Sequence, residues 1–282
     1  MTDALEMAAV KEEDFQNSDG LKIHLRSWRP EGAARGVVVI SHGFNAHGGQ
    51  YGWVASQLTA IGLAVYAMDY RGRGLSEGER FYVANIEDYV RDLAETLAIA
   101  KAREPGLPVF VLGHSAGGVV GATYAVDHPG ELAGFICESF AFQVPAPGFA
   151  ITVLKGLSHI APHLGVLALK NEFFSRDPAH VAEMNADPLI ANETQPAMTV
   201  AALAHADDAL HENFPQITIP LLILHGTEDK ATVYKGSQFF FDTAGAADKT
   251  LKLYEGHYHD LLADLGKETV IGDITAWLEA HL

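Results

Sequence analysis

The sequence predicts an α/β fold: a mostly parallel sheet with helices on both faces and a helical cap inserted into it. Three observations carry this. Six short apolar runs recur along the chain, GVVVIS, LAVYAMD, VFVLG, GFICES, PLLILHG and LKLYEG, each the length of a buried strand and rich in Val, Ile and Leu. Stretches with apolar residues at three- and four-residue spacing separate them, as crossovers between parallel strands require. One long interval, from about Ala141 to Asp208, breaks the rhythm.

Taken in order, the chain opens with a hairpin. DFQNSDGLKIHLRSWRP alternates apolar residues around a turn at Ser18-Asp19-Gly20. After two of the apolar runs, IEDYVRDLAETLAIAKARE places Tyr89, Val90, Leu93, Leu97 and Ala100 on one helical face. SAGGVVGATYAVDHP reads as a helix stopped by Pro129, and VIGDITAWLEAHL as an amphipathic C-terminal helix. The interval holds FQVPAPGFAITVLKGLSHIAPHLGVLALKNEFF, apolar and proline-punctuated, with no evident strand. It is too long for an ordinary connection and must have structure of its own. The division is therefore 1–140 for the first part of the core, 141–208 for the cap and 209–282 for the rest of the core.

Composition narrows the function. With 19 Lys and Arg against 36 Asp and Glu, the net charge of −17 repels phosphate backbones and anionic lipid surfaces, so nucleic acid is not an expected partner. Cys137 is the only cysteine, which excludes an internal disulfide and a cysteine zinc cluster; in the apolar run GFICES it reads as a buried, inert thiol. The N-terminal MTDALEMAAVKEED lacks the pattern of a signal peptide, and no apolar run reaches the roughly 18 residues of a membrane span. The expectation is a cytoplasmic protein without stable membrane insertion. The sequon Asn192-Glu193-Thr194 then carries no weight.

GHSAGG, with Gly113, Ser115 and Gly117, lies where an apolar strand ends and a helix begins. That context suits a nucleophile projected from a sharp turn, whose neighbours must be small. A serine needs a base and a group to orient it. PLLILHGTEDKATV ends a strand with Glu228 and Asp229, and LKLYEGHYHDLL ends the next with His257 and His259. A carboxylate and an imidazole thus fall past the ends of successive strands, the edge where sites form in open α/β sheets. The residues alone do not choose within either pair. Near the first parallel strand, His42-Gly43-Phe44 brings backbone N–H groups to the same edge. One of them, with the N–H of Ala116, suits a tetrahedral oxyanion. The Walker lysine of a phosphate loop is absent.

Together HGFNAHGGQY, DYRGRGLSEGER, GHSAGG, HGTEDK and YEGHYHDLL resemble the monoacylglycerol lipase and lysophospholipase branch of the α/β-hydrolase superfamily, from about residue 14 to the C-terminus. The resemblance implies an eight-stranded core, a cap over the site and ester hydrolysis by a serine triad, with neither metal nor organic cofactor. It implies Ser115 as nucleophile, Asp229 as acid, His259 as base with His257 as runner-up, and the amides of Phe44 and Ala116 as oxyanion donors. It reads DYRGRGLSEGER as a structural loop and scaffold in which Asp69, Gly72 and Gly74 shape a turn, and leaves open whether Arg71 and Arg73 face solvent or a ligand. Phe44 stands where the family often has a small residue, and Ala116 where it often has methionine. The cap matches only loosely, apart from NADPLI.

The expectation is therefore a serine carboxylester hydrolase acting on a small-molecule ester with an apolar acyl or alcohol part. A lysophospholipase or a peptidase is the alternative; the latter would need a carboxylate such as Glu172, Glu183 or Asp208 to grip an amine. A non-catalytic ligand-binding protein on the same fold is the alternative of another class. The serine at the elbow argues against epoxide hydrolases and haloalkane dehalogenases, which use aspartate there.

Overall fold

The computed structural model describes residues 9–142 and 148–282. Most of the N-terminal stretch read for a signal peptide, and residues 143–147 of the long interval, lie outside the described residues. The hairpin strands are β1 (Val10–Gln16) and β2 (Lys22–Trp28). Then come β3 (Gly36–Ser41), α1 (Gly52–Ala60), β4 (Leu63–Met68), α2 (Ile86–Arg103), β5 (Val109–His114), α3 (Ala116–Asp127) and β6 (Gly134–Glu138). The chain next leaves the sheet through α4 (Gly148–Ile160), β7 (Gly165–Leu167), α5 (Pro178–Ala186), β8 (Gln195–Pro196) and α6 (Ala197–Asn213). It returns as β9 (Leu221–Gly226), α7 (Tyr234–Thr243), β10 (Lys249–Tyr254) and α8 (Lys267–Ala280).

Eight strands form one sheet in the order β1-β2-β4-β3-β5-β6-β9-β10. The pairs β1–β2 and β2–β4 are antiparallel, and every other pair is parallel. Strand alternation sorts the side chains into two cores. On one face Val37, Val39, Val109, Val111 and Phe135 pack with Leu93 and Leu97 of α2 and Val119 of α3. On the other, Val38, Ile40, Phe110, Leu112 and Ile136 pack with Leu58 of α1 and Ile274 and Leu278 of α8. The helical face predicted for α2 is the buried one, and Asn85 caps that helix by accepting from the Asp88 N–H.

The segment between β6 and β9 is not wholly helical. It contains two strands, β7 and β8, paired antiparallel through Gly165↔Pro196 and Leu167↔Gln195. They are too short to show an alternation, and one carries a proline, so neither leaves a strand signature. The helix α6 continues past Asp208 to Asn213. Among the described residues no helix is long and apolar enough to cross a membrane.

Leu112 sits fully buried in the central strand β5, whereas Leu265 is 51% exposed. Leu112→Ala is expected to cost about 2–5 kcal/mol of stability through lost transfer energy and a residual cavity. Leu265→Ala should change it by no more than about 0.5 kcal/mol. Urea unfolding of the two variants checks the difference.

Candidate active site

Ser115 is the single residue between β5 and α3, and it adopts φ 56° and ψ −120°. A non-glycine residue there costs about 1–3 kcal/mol and persists only where its surroundings enforce it. They do so by leaving no room for alternatives. A Cβ on Gly117 would lie 2.0 Å from the Ser41 carbonyl oxygen, and one on Gly113 would lie 2.7 Å from the Gly117 carbonyl oxygen. The Ser115 N–H donates to the Glu138 carbonyl at 2.9 Å, and its own carbonyl accepts from the Gly118 N–H at 2.9 Å. A Cβ on Gly43 would meet the Ser115 Cβ at 2.8 Å, so the loop after β3 crosses directly over the serine.

His42 sets that loop. Burial keeps its imidazole neutral, with the pKa lowered to about 3. Its Nε2 accepts the Tyr70 N–H at 3.1 Å, which leaves Nδ1–H to donate to the Gly43 carbonyl at 2.8 Å. In a trans peptide the C=O and N–H point in opposite directions, so fixing the Gly43 carbonyl also aims the Phe44 N–H. Among the described residues neither the Phe44 nor the Ala116 amide donates to a protein acceptor. Phe44 and Ala116 line one cavity together with Ser115.

Asp229 and His259 meet; Glu228 and His257 do not join them. The Asp229 Oδ2 lies 2.7 Å from His259 Nδ1 and 3.0 Å from His225 Nε2, and it accepts the Thr232 hydroxyl at 2.8 Å. Its Oδ1 accepts the N–H groups of Ala231 and Thr232 at 2.7 and 2.9 Å. Burial opposes the charge, but His259 and the hydrogen bonds from His225 and His259 prevail. They hold the carboxyl well below the usual carboxylate range. Glu228 is exposed. His257 faces Asp264 instead, with Nδ1 3.7 Å from that carboxylate.

His259 is fully buried. The Phe174 ring stands edge-on to it, and the His114 ring lies at 5.0 Å between centroids. With Nδ1 engaged by Asp229, its Nε2 is left buried and without a hydrogen-bond partner. His114 immediately precedes Ser115, and Thr232 Oγ1, 3.4 Å from His259 Nδ1, belongs to a residue that lines the serine's cavity. His259 therefore neighbours both the residue before Ser115 and a residue that lines the serine's cavity.

The cavity measures about 390 Å³. Its other walls come largely from the segment between β6 and β9, through Leu154, Val166, Leu169 and Leu203. Lys230 is the only charged residue among those lining it, and its ammonium packs at 3.9 Å over the Tyr258 ring. The Phe44 ring lines the cavity with the Arg73 guanidinium stacked 4.4 Å from its centroid.

Arg71 and Arg73, in the loop read as scaffold, are both buried, so neither faces solvent. Arg71 forms a bidentate pair with Asp92 at 2.7 and 2.9 Å. Arg73 is bound by Glu193, by Gln195 at 2.7 Å and by the Tyr89 hydroxyl at 2.9 Å. Sequence reasoning also missed His42, His225 and Glu193. The first two sit where a buried strand or its edge carries a lone imidazole beside a candidate site residue. Glu193 lies in a stretch without periodicity and left no signal.

The profile of the family described as "Serine aminopeptidase, S33" matches residues 32–266. The chain is 34% identical to the monoacylglycerol lipase of Mycolicibacterium smegmatis over 273 residues, covering 96% of this chain and 98% of that one. It is 34% identical to the human monoglyceride lipase over 267 residues, covering 93% and 88%. The crystal structure of the Paleococcus ferrophilus monoacylglycerol lipase superposes with a TM-score of 0.83 at 29% identity, covering 92% of this chain and 99% of that one.

The Asp229 contacts make a prediction about acid stability. The folded pKa lies below the unfolded value of about 3.9, so the folded state binds fewer protons. Its stabilising contribution is complete above about pH 5 and is lost as pH falls toward the folded value. Asp229→Asn should unfold more easily at neutral pH and lose stability less steeply than wild type between about pH 5 and 3. Urea titrations across that range measure both.

Matched over most of its length by the family profile and by relatives on both sequence and structural comparison, the chain belongs to the serine aminopeptidase S33 family of the α/β-hydrolase fold and is a carboxylic ester hydrolase of the esterase and lipase type.

Proposed function

We propose that Ser115, His259 and Asp229 form the catalytic triad and that the amides of Phe44 and Ala116 form the oxyanion hole. One observation carries this. A buried imidazole bound through Nδ1 to Asp229 keeps an unpartnered Nε2, and its ring packs against His114, the residue directly before a serine held on a strained turn. Asp229 fixes the tautomer in which Nδ1 carries the proton and stabilises the imidazolium as it forms. His259 Nε2 accepts the Ser115 hydroxyl proton while Oγ attacks the ester carbonyl. The carbonyl oxygen gains its negative charge against the two free amides. Removing one such donor typically costs about 2.7–4 kcal/mol. The imidazolium then protonates the departing alcohol, and water hydrolyses the acyl-enzyme by the same base catalysis.

The segment at 141–208 acts as the cap in this reading. It supplies apolar walls for an acyl chain, and its Phe174 shields His259 from water. A cavity of about 390 Å³ falls in the range of small-molecule sites, about 300–1,000 Å³. Val166 both lines the cavity and is 37% exposed, so the apolar wall reaches the surface. This supports a monoacylglycerol or a similar ester with one apolar chain, the substrate class in the names of the relatives. The carboxylates considered for gripping a peptide amine do not line this cavity. Asp208 pairs with Lys155, Glu183 borders a separate recess, and Glu172 is not among the lining residues.

A fluorophosphonate probe tests the nucleophile. Wild type should label and Ser115→Ala should not; equal labelling of both removes Ser115 from the chemistry and favours a ligand-binding role for the fold. The base is tested by turnover of short 4-nitrophenyl esters and monoacylglycerols. His259→Ala should lower kcat by several orders of magnitude, and His257→Ala should keep most of it. The opposite ranking would assign the base to His257.

A further inference from the structure

Behind the proposed triad lies a second group of ionisable side chains that the reaction does not use. His114 ends β5 and Glu138 ends β6, and the two residues are direct register partners across the parallel pair. Alternation places both on the sheet face of Phe110, Leu112 and Ile136, the apolar face covered by α1 and α8. A strand pair filled only for packing would end there in apolar side chains. It ends instead in an imidazole and a carboxyl, 2% and 0% exposed. Asp260, directly after His259, completes the group. One ligand atom from each of His114, Glu138 and Asp260 lies within 4.8 Å of the others.

The protein leaves this group short of partners. His114 Nε2 and Glu138 Oε2 are both buried without a hydrogen bond. Glu138 Oε1 accepts the Leu262 N–H, at 3.1 Å. His180 offers Asp260 a cationic partner, with its Nε2 3.6 Å from the Asp260 Oδ2. Two carboxyl groups and an imidazole directed at one another, with two orphaned atoms, are costly unless a positive charge joins them. On its other ring atom, His114 Nδ1 lies 3.5 Å from the Tyr51 hydroxyl, so Nε2 is free to present its lone pair inward.

We propose that His114, Glu138 and Asp260 bind a divalent transition-metal cation that ties the strand carrying the nucleophile to the loop carrying the base. One imidazole and two carboxylates form a ligand set suited to Zn²⁺ or Mn²⁺; Ca²⁺ demands six to eight oxygens. A polar recess of about 310 Å³, lined by His47, Trp53, His180, Glu183, Asp187 and Leu262, adjoins the group through His180 and Leu262. The cation takes no part in ester cleavage. It holds three points that bear on the reacting atoms: the residue before Ser115, the residue after His259, and Glu138, whose carbonyl receives the Ser115 N–H.

The test uses Zn²⁺ alone. Purified full-length chain is loaded with excess ZnCl₂, dialysed against metal-free buffer and assayed for retained zinc by mass spectrometry, with the Tm measured before and after loading. Wild type should retain one zinc per chain and gain a few degrees in Tm. Glu138→Gln and Asp260→Asn should each weaken binding by at least the roughly 10–100-fold that loss of even an outer-shell partner costs. Both should also lose the Tm response. Asp260 is only partly buried, so its variant keeps the test open if Glu138→Gln does not fold. Absence of retained zinc in wild type overturns the proposal. Zinc retained equally by wild type and Asp260→Asn overturns it too, assigning the metal to surface histidines. Neither readout depends on ester turnover, so failure here leaves the triad assignment intact.

Discussion

The site depends on one backbone constraint: a serine held with positive φ where a parallel strand turns into a helix. This conformation turns the chain from strand to helix at a single residue, and among the described residues the first amide of the helix, that of Ala116, has no protein acceptor. The conformation is unfavourable in itself, and the surrounding chain maintains it by close approach. Gly113 and Gly117 are glycines because backbone passes through the space that a Cβ would take, and Gly43 because the Ser115 Cβ does. Strain of this kind endures where packing overdetermines it, and here two flanking strands and a crossing loop all bear on one residue.

A second tier of contacts fixes what surrounds the turn. Arg73 is buried beneath the Phe44 ring and bound to Glu193, which also accepts the Asn45 N–H at 2.9 Å. One guanidinium thus links the loop after β4, the loop after β3 and the segment between β6 and β9. Breaking such a buried pair by removing one partner typically costs about 3–5 kcal/mol, because the remaining charge is stranded. The cavity's shape and the orientation of the Phe44 amide are therefore coupled through electrostatics as well as packing. Asp229 plays the corresponding part on the other side of the cavity. Five donors converge on its carboxylate, from two imidazoles, one hydroxyl and two amides.

The core was legible in the sequence because parallel strands buried on both faces need continuous apolar runs, and all eight strands of the sheet coincide with runs or a hairpin recognised there. The helical face of α2 was legible for the same reason. The elbow at Ser115 could be read because only small residues tolerate its geometry. Other features had no such signature. The strands β7 and β8 are too short to show a period. Burial of Arg71 and Arg73 was invisible because a charged residue reads as exposed until its partner is known. Those partners, Asp92 and Glu193, are distant in sequence and fixed only by tertiary structure. The choice of Asp229 and His259 over their neighbours came from family resemblance; the residues alone left it open. In the structure, the carboxylate and the imidazole that approach each other are that pair.

The central claim is that three separated side chains and two amides converge on one reacting carbon. A crystal structure of the chain after reaction with an alkyl phosphonate ester tests it most directly, since the adduct mimics the tetrahedral intermediate. The account predicts phosphorus bonded to Ser115 Oγ, the phosphoryl oxygen within hydrogen-bond reach of the Phe44 and Ala116 amides, and His259 Nε2 turned toward the adduct. A phosphoryl oxygen directed away from both amides, or a His259 ring separated from the adduct with Asp229 released, would contradict it.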